Sequence, residues 1–110
     1  MGLSGLRKHL FKIKVVTNPL CQYCHDEIED PCHYLVRCPY FFEEQTNMFS
    51  DLINLVNVQY WNGKTENEIT SILVSGDILL SFETNRQIHN RVVKYIEETK
   101  RFNVPNFNNQ

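Results

Sequence analysis

The sequence predicts a small, single, all-α domain of four or five helices. Its 110 residues suit one domain with a modest core, and no apolar run approaches the twenty residues of a membrane span. Apolar residues recur at intervals of three or four, as on one face of a helix. Two Thr-x-x-Glu/Gln pairs, Thr65 with Glu68 and Thr84 with Gln87, are typical of capping boxes that begin helices. We therefore expect a helical domain over residues 1–102 and a flexible, Asn-rich tail over residues 103–110.

The apolar stripes place these helices along the chain. The first stripe predicts a basic amphipathic helix of about ten residues, and it consists of Leu3, Leu6, Leu10 and Ile13. A second stripe, from Tyr40 to Val56, predicts a helix with Phe41 and Phe49 in the core.

The second half of the chain gives two further helices. One is expected from Glu66 to about Val74, after the Thr65 cap, and the longest from Thr84 to about Arg101. The longest helix should point its apolar face inward, namely Ile88, Val92, Tyr95 and Ile96. The apolar segment Ile78-Leu79-Leu80 between the two helices is expected to be buried.

All four cysteines lie within eighteen residues. Cys21 and Cys24 form a Cys-x2-Cys pair, and His33 and Cys38 follow at a spacing of five. A Cys-x2-Cys turn brings two sulfurs to one ion, and a short helix could bring His33 and Cys38 to the same ion. Thiolate and imidazole are ligands that suit zinc. The spacing therefore predicts a zinc site over residues 21–38, held by three thiolates and one imidazole.

Cys32 leaves an alternative open. A site made of Cys21, Cys24, Cys32 and Cys38 is chemically reasonable, although the His-x4-Cys arrangement of His33 and Cys38 recurs in zinc knuckles. His25 is rejected as a ligand because it directly follows Cys24. Disulfides are disfavoured because no signal peptide precedes the cysteines.

Three segments together resemble a known family. They are Leu6-Arg7-Lys8-His9-Leu10-Phe11, then Asn18-Pro19-Leu20-Cys21, and Cys32-His33-Tyr34-Leu35-Val36-Arg37-Cys38-Pro39. In this order, over residues 5–42, the chain resembles the zinc-binding region near the C-terminus of non-LTR retrotransposon reverse transcriptases, as a detached fragment. The resemblance implies zinc ligation by Cys21, Cys24, His33 and Cys38, with Cys32 as an extra residue. It also implies that the region engages RNA or DNA.

The charge distribution gives a modest case for a nucleic-acid partner. The net charge is −2, so the whole chain does not attract phosphate. The first twenty residues, however, contain no acidic residue and carry four cationic side chains, Arg7, Lys8, Lys12 and Lys14. We expect weak, largely sequence-independent RNA or DNA binding there, with Arg37 as a further candidate contact. The acidic segment Asp26 to Asp30 should weaken this binding, because its carboxylates repel phosphate. The alternative is a structural or protein-interaction module, a retroelement remnant that binds no nucleic acid.

No motif predicts catalysis. The chain has no Gly-rich phosphate loop, nucleophile elbow or polymerase motif, and four ligands would close the zinc site to water. We therefore expect a protein that is not an enzyme. The N-terminus lacks the apolar stretch of a signal peptide, which predicts an intracellular, nuclear or cytoplasmic protein without a membrane anchor, and no particular protein partner is indicated.

Overall fold

The computed structural model describes residues 20–100. The predicted N-terminal helix, its four basic residues and the predicted tail therefore lie outside the described part. Four α-helices follow one another here: α1, Phe42–Leu55; α2, Val58–Trp61; α3, Glu66–Ser75; and α4, Phe82–Thr99. A π-helical turn, His33–Arg37, and a 3-10 turn, Pro39–Phe41, precede them. Over residues 20–100 there is no β-strand beyond one isolated bridge, so the all-α prediction is confirmed.

None of the helices formed by residues 20–100 combines the length and the apolar character needed to cross a bilayer.

Helices α1 and α4 form the centre of the domain. Their apolar stripes meet, and Met48, Leu52, Ile88 and Val92 are all almost completely buried. Full burial of each such side chain stabilises the fold by about 1.5–3 kcal/mol. At the edge of this contact the buried guanidinium of Arg91 lies 2.6 Å from a carboxylate oxygen of Asp51 on α1. The helical periodicity therefore predicted both helices correctly, together with the inward positions Ile88, Val92 and Tyr95 of α4.

Trp61 closes the C-terminal end of α1. The last carbonyls of an α-helix have no partner within the helix. The indole N–H of Trp61 lies 3.2 Å from the carbonyl oxygen of Leu52 and 3.0 Å from that of Val56, and donates to both. This short helix α2 is thus a cap for α1 as well as a connection to α3.

The two predicted capping boxes have different outcomes. Thr65 and Glu68 form both reciprocal hydrogen bonds at the start of α3, as predicted. The prediction of a capping box at Thr84 is wrong, because α4 begins about one turn earlier and Ser81 is its N-cap residue. The Ser81 hydroxyl accepts the backbone N–H of Thr84 at 3.0 Å, so Thr84 is the third helical residue and not the cap.

The expected burial of Ile78-Leu79-Leu80 is wrong for the first two residues, whereas Leu80 packs partly buried against the core. Ile78 is 99% exposed and Leu79 86%, and the nearby Phe82 is 84% exposed; these three residues are called the apolar tip below. The side chain of Asp77 accepts the Tyr60 hydroxyl and, at 2.9 Å, the backbone N–H of Leu79. These hydrogen bonds hold the turn in a shape that directs the apolar tip outward.

Candidate metal centre

The Cys-x2-Cys segment forms a tight hairpin. An antiparallel bridge joins Leu20 to Ile28, and the Cys21 N–H donates to the Glu27 carbonyl at 2.8 Å. His25 has a left-handed φ of 63°, and its N–H donates to the Cys21 carbonyl at 2.9 Å. A turn of this shape brings the side chains of Cys21 and Cys24 to one side. His25 contributes its backbone to the turn, consistent with its rejection as a ligand.

The π-helical turn explains the five-residue spacing of His33 and Cys38. In an α-helix, residues five apart are separated by about 1.4 turns and point in different directions. Here the Cys38 N–H donates to the His33 carbonyl at 2.7 Å, which is the wider i to i+5 pattern of a π-helix. The Asp30 carboxylate accepts the His33 N–H at 2.8 Å and fixes the start of the turn. His33 and Cys38 therefore face the same point.

Pro39 interrupts the backbone hydrogen-bond pattern of this turn. Continuing the π pattern, the Tyr34 carbonyl would accept the N–H of residue 39, but proline has none. Two side chains donate to this carbonyl instead: the Tyr95 hydroxyl at 2.6 Å and the Gln45 amide at 3.4 Å. Gln45 also donates to the Cys38 carbonyl at 3.0 Å. Helices α1 and α4 thus hold the turn that carries two of the candidate ligands.

Four side chains converge between the hairpin and the turn. The ligand atoms of Cys21, Cys24, His33 and Cys38 all lie within 4.8 Å of one another. The Cys21 and Cys38 sulfurs are 3.8 Å apart, and the Cys24 sulfur lies 3.4 Å from Nε2 of His33. A tetrahedral zinc site with Zn–S bonds of about 2.3 Å and Zn–N bonds of about 2.0 Å has S···S edges of about 3.8 Å and S···N edges of about 3.5 Å. The cluster could therefore bind a metal ion, and its dimensions are compatible with zinc.

The structure brings together the four residues chosen from the sequence. Cys32 is buried but does not belong to this group, so among residues 20–100 the cluster contains His33 and not the fourth cysteine. Burial, followed by the proximity of Cys21, raises the pKa of the Cys38 thiol to about 12. A bound cation would reverse this preference, because a metal ion binds the thiolate.

A layer of charged side chains surrounds His33. Nδ1 of its ring lies 2.8 Å from the Glu27 carboxylate, and the guanidinium of Arg37 lies 2.6 Å from the same oxygen. Arg37 also approaches Glu66, the first residue of α3, at 3.7 Å. The Arg37 guanidinium, and after it the His33 ring, holds the pKa of the Glu27 carboxyl below its usual value.

These contacts change the interpretation of two predicted features. Arg37, considered as a nucleic-acid contact, is engaged by two carboxylates. The acidic segment does not face solvent as a whole: Glu29 is fully buried, Glu27 is paired with Arg37, and Asp26 is exposed. The repulsion expected from this segment is therefore smaller than its composition suggests.

Aromatic rings pack beside the cluster. Tyr23, in the hairpin, stacks on Tyr40 with ring centroids 4.6 Å apart, and Phe41 makes edge contacts with Tyr34 at 5.6 Å. Phe41 is buried, as predicted, whereas Tyr40 is 63% exposed. Phe49 packs only partly buried against the core. The buried rings of Tyr34 and Phe41 therefore belong to the same core as Cys21 and Cys38.

Sequence reasoning missed the residues that support the ligands. In the sequence, Glu27 is one residue of the acidic segment Asp26 to Asp30, and Gln45 lies without a distinct role between Tyr40 and Val56. A metal-binding histidine usually donates its second ring N–H to a carboxylate or carbonyl, so a search for acids near His33 could have identified Glu27. The predicted nucleic-acid contacts Arg7, Lys8, Lys12 and Lys14 lie outside the described residues.

Comparison of the chain with models of known protein families, with curated proteins and with solved structures gives no match.

Proposed function

We propose that this protein is a non-catalytic zinc-binding module that binds RNA or DNA weakly through its basic N-terminal residues. The observation that carries the proposal is the convergence of Cys21, Cys24, His33 and Cys38, whose ligand atoms all lie within 4.8 Å of one another. The proposal includes a relationship to the zinc-binding region of non-LTR retrotransposon reverse transcriptases, which the order of motifs in residues 5–42 supports.

The donor set supports a structural zinc ion. Three thiolates and one imidazole supply four protein ligands, which complete a tetrahedral zinc site, whereas catalytic zinc sites typically keep one position for water. Zinc here would link the hairpin, which carries Cys21 and Cys24, to the π-helical turn, which carries His33 and Cys38. In this proposal the ion stabilises the fold and takes part in no reaction.

The nucleic-acid part of the proposal is supported by charge. The four cations of the first twenty residues, Arg7, Lys8, Lys12 and Lys14, have no acidic neighbour in that segment. They lie close in sequence to the metal centre, whose acidic segment is partly neutralised by Arg37. If three or four phosphates are contacted, log affinity for single strands should fall with log salt at about −0.7 per contact.

Fluorescence anisotropy with a labelled single-stranded RNA and a DNA of the same length tests this part. The zinc-loaded chain should bind at low salt and lose affinity steeply as salt rises. Changing Arg7, Lys8 and Lys12 to Gln should flatten the salt dependence. A control that removes the same charge from α4 and its C-cap residue, with Arg86, Lys94 and Lys100 changed to Gln, should leave binding unchanged. Absence of binding at low salt, or equal effects of both triple variants, would contradict the proposal.

A protein-interaction module is the second candidate. The apolar tip favours it, since Ile78, Leu79 and Phe82 are each more than four-fifths exposed on a turn held by hydrogen bonds. Exposed apolar side chains that cluster in this way commonly mark contact surfaces. If the anisotropy experiment shows no binding, this candidate replaces nucleic-acid binding.

A further inference from the structure

We propose that Glu27 is the positioning residue of the metal centre, and that its carboxylate selects Nε2 of His33 as the nitrogen that binds the ion. This inference rests on the zinc-binding part of the proposed function and extends it. It assigns a role to a residue outside the ligand set, and it predicts which nitrogen of the histidine is coordinated.

The two nitrogens of the His33 ring have different surroundings. Nδ1 lies 2.8 Å from Oε1 of Glu27, whereas Nε2 lies 3.4 Å from the Cys24 sulfur within the cluster. In a neutral imidazole one nitrogen carries the proton and the other has a free lone pair. A carboxylate can only accept, so Glu27 holds the proton on Nδ1 and leaves the lone pair of Nε2 directed at the cluster. The His33 side chain is only 2% exposed and that of Glu27 is 40% exposed, so Glu27 approaches the buried ring from the surface of the protein.

Arg37 holds Glu27 in this position. Its guanidinium lies 2.6 Å from the same Oε1 atom that accepts the histidine N–H, so one oxygen accepts two donors. Arg37 belongs to the same π-helical turn as His33 and also approaches Glu66 on α3 at 3.7 Å. The chain of contacts from Glu66 through Arg37 and Glu27 to His33 thus connects the first turn of α3 with the ligand ring.

The neighbouring acids do not have this role. Glu29 is buried, but its carboxylate faces the Cys21 sulfur at 4.0 Å. Asp30 accepts the backbone N–H of His33 and so fixes the turn rather than the ring. An ordinary surface ion pair between Glu27 and Arg37 would contribute little to stability and would not determine the histidine tautomer. The tautomer is therefore the property that separates a positioning role from a merely structural one.

The test uses the full chain loaded with zinc. Long-range nitrogen–proton correlation spectra of the histidine rings report which nitrogen of His33 carries the metal and which carries a proton. We expect Nε2 to be metal-bound and Nδ1 to be protonated. Zinc on Nδ1, or a His33 ring whose signals do not change on zinc addition, overturns the inference even if the chain binds zinc. A wild-type chain that binds no zinc overturns the proposed function itself.

Zinc affinity, measured by competition with a chromophoric chelator, gives the second readout. Loss of an outer-shell partner typically costs about 10- to 100-fold in metal affinity, and we expect this for Glu27→Ala. Glu27→Gln keeps an acceptor oxygen and should retain Nε2 coordination. The control is Glu83→Ala, which removes a similar carboxylate paired with Arg86 at 2.7 Å on α4 and should not change affinity. Equal affinities for Glu27→Ala and Glu83→Ala would overturn the inference, and if Glu27→Ala does not fold, the wild-type tautomer decides it.

Discussion

The hydroxyl of Tyr95 lies 2.6 Å from the carbonyl oxygen of Tyr34 and donates a hydrogen bond to it, although 61 residues separate the two in sequence. The Tyr34 hydroxyl in turn lies 2.5 Å from that of Thr99. Both contacts join the last turns of α4 to the turn that carries His33. The candidate metal centre is therefore an integral part of the helical domain. Tyr34 and Tyr95 belong to the core and also support the turn that carries candidate ligands.

Changing Tyr95 to Phe removes this hydrogen bond and keeps the ring. The Tyr34 carbonyl would lose its 2.6 Å donor and keep the longer 3.4 Å contact from Gln45, so we expect a loss of about 1–2 kcal/mol in the free energy of unfolding. Chemical denaturation of the zinc-loaded protein measures it. Tyr40→Phe is the control, because Tyr40 is 63% exposed and should give little change. Equal stability of the two variants would show that α4 does not support the turn through this bond.

Substitution of single cysteines distinguishes the two possible ligand sets. We expect one zinc per chain in protein purified under reducing conditions, by elemental analysis. Cys38→Ser should lose most of the zinc, because it removes one of the four clustered ligand atoms. Cys32→Ser removes a buried thiol outside the cluster, and this variant should keep its zinc. Zinc lost in both Cys38→Ser and Cys32→Ser would instead support the four-cysteine site, which contains both of these residues.

Removal of zinc with a chelator should unfold the metal centre locally. Residues 21–38 contain few large apolar side chains, and a structural zinc contributes on the order of 10 kcal/mol of apparent binding energy. We expect amides of residues 21–38 to lose protection from hydrogen exchange while those at the centre of α4, around Ile88 and Val92, stay protected. Unchanged protection at both places would mean that the ion does not stabilise the fold.

Zinc uptake should release protons at neutral pH. In the metal-free protein burial raises the pKa of the Cys38 thiol to about 12, so this group is protonated at pH 7 and must lose its proton to bind. The apparent zinc affinity should therefore rise with pH, by about tenfold per unit for each proton released. Calorimetry in buffers with different ionisation enthalpies counts the protons. A count of zero would show that Cys38 does not bind as a thiolate.

The start of α4 can be tested with two alanine variants. Ser81→Ala removes the cap that accepts the Thr84 N–H and should cost about 1 kcal/mol of stability. Thr84→Ala keeps that cap and places a better helix former inside the helix, so it should cost less. Thermal or chemical unfolding compares the two. A larger loss of stability for Thr84→Ala would instead support the capping box that the sequence predicts at Thr84.

Local patterns predicted much of this fold. The stripe that contains Met48 and Leu52, and the Thr65 capping box, depend on residues within one or two turns of each other, so the sequence contains the relevant information. The spacing of the cysteines and His33 likewise predicted which side chains converge, since the hairpin and the turn that carry them are short. The resemblance to a retrotransposon region remains a prediction.

The features that could not be predicted depend on contacts between distant segments. The π-helical turn exposes a carbonyl that residues from α1 and α4 satisfy, and nothing near Tyr34 in the sequence specifies those donors. The segment that carries Ile78 and Leu79 is expected inside the fold because these side chains are apolar. Its exposure follows from the way Tyr60 and Asn85 hold Asp77, with Asn85 accepting the Asp77 N–H at 3.0 Å.

The exposed apolar tip affects how the protein behaves at the bench. Dyes that become fluorescent on apolar surfaces should bind Ile78, Leu79 and Phe82 in the folded state. The dye fluorescence should therefore be high before heating, and its change on unfolding should be small. With a net charge of only −2, concentrated samples have little electrostatic repulsion to oppose association through the same surface. The intrinsic fluorescence of the single tryptophan, Trp61, only 8% exposed against α1, is therefore the better reporter of unfolding.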